Sequence, residues 1–139
     1  MQPPRIILYH KHPTSARTRF LRLAHGGVCG PAPLPEGASL VSEGIPAGAL
    51  AWHPAAVVGA AERSLGLPGG SLEADAGFRA LIEAPHGPVE VLLAHFTAMD
   101  PPFEAVETIG GAFIQLTQAR GMAPVELALL RRAYEAILG

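Results

Sequence analysis

Two histidines two residues apart, His10 and His12, are the first side chains in the sequence equipped for chemistry. In an extended strand, residues i and i+2 share a face. Both imidazoles could then reach one metal ion, with His95 and Asp100 as further ligands if a second strand lies alongside. The plain alternative is a pair of solvated loop histidines and a His95 hydrogen-bonded in the core. No HExxH, cysteine pair or carboxylate cluster accompanies the histidines, so the alternative is preferred and no metal or other cofactor is expected. Just downstream, Thr14, Ser15, Arg17 and Arg19 hold the donors of an anion site: two hydroxyls, two guanidiniums and, if Thr14 or Ser15 caps a helix, the free amides of its first turn. A simple capped helix with a solvated arginine face competes with that reading. Trp52 is the single tryptophan, set in a Pro/Gly-rich stretch. It serves either as an anchor in the domain's own core or as a contact for a partner.

The stretch from Ile7 to Arg17 loosely resembles the first strand, loop and helix start of glutaredoxin-like and glutathione-transferase-like domains. That resemblance would place Thr14 and Arg17 where glutaredoxins carry redox cysteines. Thiol–disulfide exchange is excluded all the same, because Cys29 is the only cysteine and the reaction needs a second thiol. No Gly-x-Ser-x-Gly elbow, GxGxxG or P-loop occurs, which removes the usual signatures of nucleophilic and nucleotide chemistry.

Composition bounds the remaining possibilities. The 139 residues are 49% hydrophobic and 16% charged, a mix that folds rather than one that stays disordered. We read residues 1–139 as one domain. No apolar run reaches the ~18–20 residues of a membrane span, and the N-terminal residues lack the apolar region of a signal peptide. With one cysteine, a cytoplasmic location is expected. Residues 1–25 carry a net +5 and the remainder −7, so a basic front sits on an acidic body. Nucleic acid is an unlikely partner for so short a basic run in an acidic protein.

The elements that would position these residues centre on Val89–Leu138. Val89, Val91, Leu93 and His95 alternate with Glu90, Leu92, Ala94 and Phe96, which predicts a buried central strand. Asp100 and Pro101 then read as the start of a helix whose stripe is Phe103, Val106, Ile109, Phe113 and Leu116. Gly110-Gly111 interrupts it, with a close backbone neighbour as one explanation and a short strand from Ala112 as its rival. Pro124 opens a last helix carrying Leu127, Leu130, Tyr134, Ile137 and Leu138. Further upstream, Arg5–Tyr9 predicts a strand, residues 14–25 a helix, and Ala38–Ser42 an edge strand. Gly44–His53 reads as a loose connection. Helices are predicted from Pro54 to Leu65 and from Ser71 through Ile82. The expected fold is α+β: a small sheet of roughly two to four strands under about five helices, ending in a C-terminal helical hairpin. The functional expectation is a non-catalytic accessory protein that binds another protein or itself. Anion binding at Thr14–Arg19 and metal binding at His10, His12 and His95 are the alternatives.

Overall fold

The computed structural model describes residues 3–41 and 52–138. Among these the sheet dominates. Seven strands form one curled, mixed sheet: β1 (Arg5–Lys11), β2 (Thr18–Arg22), β3 (Cys29–Gly30), β4 (Ser39–Leu40), β5 (Leu72–Glu83), β6 (Val89–Phe96) and β7 (Ala112–Ile114). The spatial order is β4-β5-β6-β1-β2-β7, with β3 also on β1. Three α-helices accompany it: α1 (Pro54–Ser64), α2 (Phe103–Thr108) and α3 (Pro124–Leu138), with a 3-10 turn at Leu116–Gln118. The expectation of a small sheet under about five helices is therefore wrong.

Two strands were misread as helices. Residues 18–22 pair with β1 in a hairpin, Tyr9 opposite Phe20 and Lys11 opposite Thr18. Adjacent Phe20 and Leu21 are both fully buried, on opposite faces of the sheet. A strand covered on both sides hides its period of two, and a helical stripe can be drawn through it. Residues 72–83 form a long strand, β5, in antiparallel register with β6, Ile82 opposite Val89 and Leu72 opposite Phe96. Its inner residues Phe78, Ala80 and Ile82 do alternate. A register shift between Ala74 and Arg79 breaks that alternation, as a bulge does.

The helix expected from Asp100 is one short stretch, α2. Gly110 takes a positive φ of 77° and ends it. Gly111 then lies so close to β2 that an added Cβ would meet the Arg22 carbonyl oxygen at 3.0 Å. The chain continues as β7, paired with β2. No C-terminal helical hairpin forms, because α2 and α3 pack on opposite faces of the sheet. Leu129, Leu130 and Ala133 of α3 join Ile7, Tyr9, Val91 and Leu93. Val106 of α2 and Val57 and Val58 of α1 join Ile6, Leu8, Leu92 and Phe96. Nor does the basic front lie over the rest of the molecule. β1 is the parallel neighbour of β6, and Ile6–His10 are all buried. The Gly44–His53 connection falls outside the described residues except for Trp52 and His53. His53 caps α1, its Nδ1 accepting from the Ala55 amide at 3.2 Å.

Candidate functional site

The sheet's two faces carry different features. On the α1 side, a cavity of about 770 Å³ opens between helix and sheet. Ile6 and Leu8 of β1 and Leu21 of β2 form its floor. Ala56, Ala60 and Ala61 of α1 form a wall. The cause lies in the sequence. Ala56 and Ala60 are i and i+4 on one helical flank, Ala61 adjoins them, and all three offer only methyl groups. α1 packs chiefly on β5, so its alanine flank fills little of the space over β1 and β2. Pro3 and Pro33 stand at the rim. Arg5 ties them together, donating from Nη1 to the Pro3 carbonyl at 2.7 Å and from Nη2 to the Pro33 carbonyl at 3.1 Å.

The lining contains no Lys, Arg, Asp or Glu among the described residues. Its one imidazole, His25, is fully engaged. Nδ1 accepts from the Gly27 amide at 3.1 Å, and Nε2 donates to the Cys29 carbonyl at 2.8 Å. Trp52 also lines the cavity, and its buried indole Nε1 has no hydrogen-bond partner among the described residues. Its backbone amide donates to Glu90 Oε2 at 3.4 Å. Glu90 in turn pairs with Arg79 at 2.8 Å, which gives this buried carboxylate its counter-charge. Trp52 is partly buried and packs against the apolar cluster of Ile6, Leu8, Val57 and Val58.

On the α3 face, Asp75 bridges Tyr9 and His95. The Tyr9 hydroxyl donates to Asp75 Oδ2. His95 Nδ1 donates to Asp75 Oδ1 at 2.6 Å, which leaves Nε2 as the ring's basic atom. Burial, then the hydrogen bond to Asp75 and its charge, push the Tyr9 phenol up. Such a carboxylate-held imidazole can act as a proton acceptor. Yet no hydroxyl or thiol nucleophile hydrogen-bonds to His95 among the described residues, so the bridge is first a structural one. Asp75 is not legible as a site residue when residues 71–82 are read as a helix; the one sequence mark of the irregularity in β5 is Gly77, inside the shifted stretch.

Of the metal candidates, His10 and His12 lie ring to ring, their centroids 6.3 Å apart, but His95 does not join them. His95 is the register partner of Tyr9, so His10, one residue on, faces the other side of the sheet. His10 is buried, donating from Nε2 to the Ala98 carbonyl at 2.9 Å, with Nδ1 unpartnered among the described residues. His12 Nδ1 accepts from the Thr14 and Ser15 amides at 3.2 and 3.3 Å. Among the described residues no three His, Cys, Asp or Glu side chains group to hold a metal.

The proposed anion loop loses the helix it relied on. Thr14–Arg17 belong to the β1–β2 turn, and its amides are already spoken for. Thr14 and Ser15 donate to His12, Ala16 to the His12 carbonyl at 2.9 Å, and Arg17 to Ser15 Oγ at 3.4 Å. Arg19 lies over the Phe103 ring at 5.8 Å. With a hairpin in place of the helix start, the glutaredoxin-like resemblance fails as well.

Cys29 is a buried free thiol. The Val28 and Cys29 amides donate to Glu126 Oε1 at 3.1 and 3.3 Å. Burial, and secondly the Glu126 charge, push the thiol up, so it is held as an unreactive SH. No described helix is long and apolar enough to cross a membrane. No protein-family model and no curated protein sequence matches this chain.

Proposed function

We propose that the protein binds a small apolar molecule in the cavity between α1 and the β1–β2 surface. The observation that carries this reading is the cavity itself, about 770 Å³ with a lining free of charged side chains among the described residues. Ligand sites are of that size and are mostly apolar, with few polar groups. The buried single cysteine fits a cytoplasmic setting.

Thermal melting with butylbenzene as the probe tests the proposal. A ligand at a hundred times its Kd adds about 2.7 kcal/mol, which raises Tm by roughly 8 °C in a chain of this size. Ala60→Phe, on the helix wall, should lower the affinity without lowering the Tm of the free protein. Unchanged melting of the native protein at saturating butylbenzene would overturn the proposal.

A second reading, association with another copy, draws on exposed apolar side chains. Met99 is 68% and Phe103 48% exposed, and the basic front of one copy could complement the acidic body of another. Light scattering should then show a dimer that Phe103→Asp dissociates. A monomer at high concentration would remove this reading.

A further inference from the structure

We infer that a second copy of the chain docks on the Met99–Phe103 patch about a two-fold axis, with Arg17 and Arg19 of each copy facing Asp100 and Glu104 of the other. This deepens the self-association reading and rests on it. The patch is held in place from inside. Phe103 stands edge-on to Phe113 with ring centroids 5.5 Å apart, and Phe113 stands edge-on to the buried Phe96 at 5.5 Å. The Arg19 guanidinium lies over the Phe103 ring. His10 Nε2 donates to the Ala98 carbonyl, which ties the β1–β2 hairpin to the loop that carries Met99 and Asp100. A half-exposed ring and an arginine held in this way lose little freedom on docking, which is what an interface anchor needs.

Charge selects the occupant. Arg17 on the hairpin, Asp100 on the loop and Glu104 in the first turn of α2 are all exposed. Among the described residues the ion pairs are Arg79–Glu90 and His95–Asp75, so the cations and acids of the patch do not pair with one another within one chain. Of the side chains outside the described residues, only Glu43 is charged. A patch that carries both signs beside an apolar centre complements itself. A two-fold rotation sets each hairpin against the loop and α2 of the other copy. An anionic surface or a strongly acidic partner would instead meet Asp100 and Glu104 as like charges.

Sedimentation velocity over a concentration series of the full chain tests the arrangement with two variants, Arg17→Glu and Glu104→Lys, both at exposed positions outside the core. Each variant alone should dimerise about tenfold more weakly than the native protein, because one reversal alters two symmetric contacts. An equimolar mixture of the two should recover an affinity within about threefold of the native value, since the reversed charges then face each other. Suppose the native protein is a dimer that Phe103→Asp dissociates, but neither reversal changes its strength, or the mixture is no stronger than the variants alone. The two-fold arrangement then falls while the self-association reading stands. A native protein that stays monomeric at high concentration overturns both. If that monomer pellets with phosphatidylserine vesicles, the patch belongs to an anionic surface instead.

Discussion

Replacing Tyr9 with Phe removes one hydroxyl from a packed ring and should cost about 1.5 kcal/mol. The figure follows from the surroundings. Tyr9 is 6% exposed, and its hydroxyl donates to the Asp75 carboxylate. A hydrogen bond to an ionised group contributes about 1.5–3 kcal/mol. The Asp75 side chain keeps 22% of its surface in water, so it rehydrates in part when the bond is lost, which sets the value at the low end. Asp75→Ala should cost more, about 2–3 kcal/mol, because it strands a buried hydroxyl and also releases His95. Both changes break the same bond, so adding Tyr9→Phe to Asp75→Ala should cost almost nothing. Urea midpoints at constant m value give the four stabilities, and their cycle should return a coupling of about 1.5 kcal/mol.

The same pair predicts part of the alkaline limb. The folded phenol is raised above its ordinary value of 10.0, so the unfolded chain releases this proton first. The contribution of Tyr9 is therefore complete below pH 10 and declines above it by about 1.4 kcal/mol per pH unit, until the folded phenol ionises. Tyr9→Phe should remove that decline. Cys29, raised above 9.0, keeps its own in both proteins. Single-mutant costs that add within about 0.5 kcal/mol, or an alkaline limb unchanged in Tyr9→Phe, would refute the reasoning.

Other outcomes follow from the buried polar groups. Glu126→Ala strands the Val28 and Cys29 amides and should cost about 2–4 kcal/mol in urea unfolding. Gly27→Ala should also destabilise, because its methyl would collide with the Glu126 carboxylate; a neutral result there would contradict the packing described. In the native protein the Cys29 thiol should resist a thiol reagent and react at the rate of global unfolding, whereas prompt labelling would show that it is not held as a buried SH. Arg79→Met leaves the Glu90 charge without its counter-ion and should cost about 3 kcal/mol at neutral pH, measured as a fall in urea midpoint. Millimolar phosphate should leave the melting temperature unchanged, since the amides of residues 14–17 are all engaged within the turn.

What the sequence disclosed depended on how each element is covered. β6 was legible, since an apolar run with a single Glu, bounded by turns, reads as a strand buried on both faces. The α1 and α3 helices were legible from a proline at the start and a sustained stripe. β2 and β5 were not. In β2, Phe20 and Leu21 are buried on opposite faces, so no alternation survives. In β5, the shift between Ala74 and Arg79 resets it. Losing β5 also lost Asp75, and with it the link to Tyr9 and His95. The cavity left no motif, because it arises from alanines on one helical flank, which read as ordinary helix formers. Trp52 was singled out, but its place in the cavity lining is a property of three-dimensional packing alone.

Location is the sharpest test of the central claim. In a methyl NMR spectrum of the native protein titrated with butylbenzene, signals of Ile6, Leu8, Leu21 and Val57 should shift in a saturable way. Those of Val89, Val91, Leu93 and Leu130, on the α3 face, should stay in place. Saturable shifts confined to the α3 face, or none anywhere, would contradict the claim that this fold is built around a site for an apolar guest.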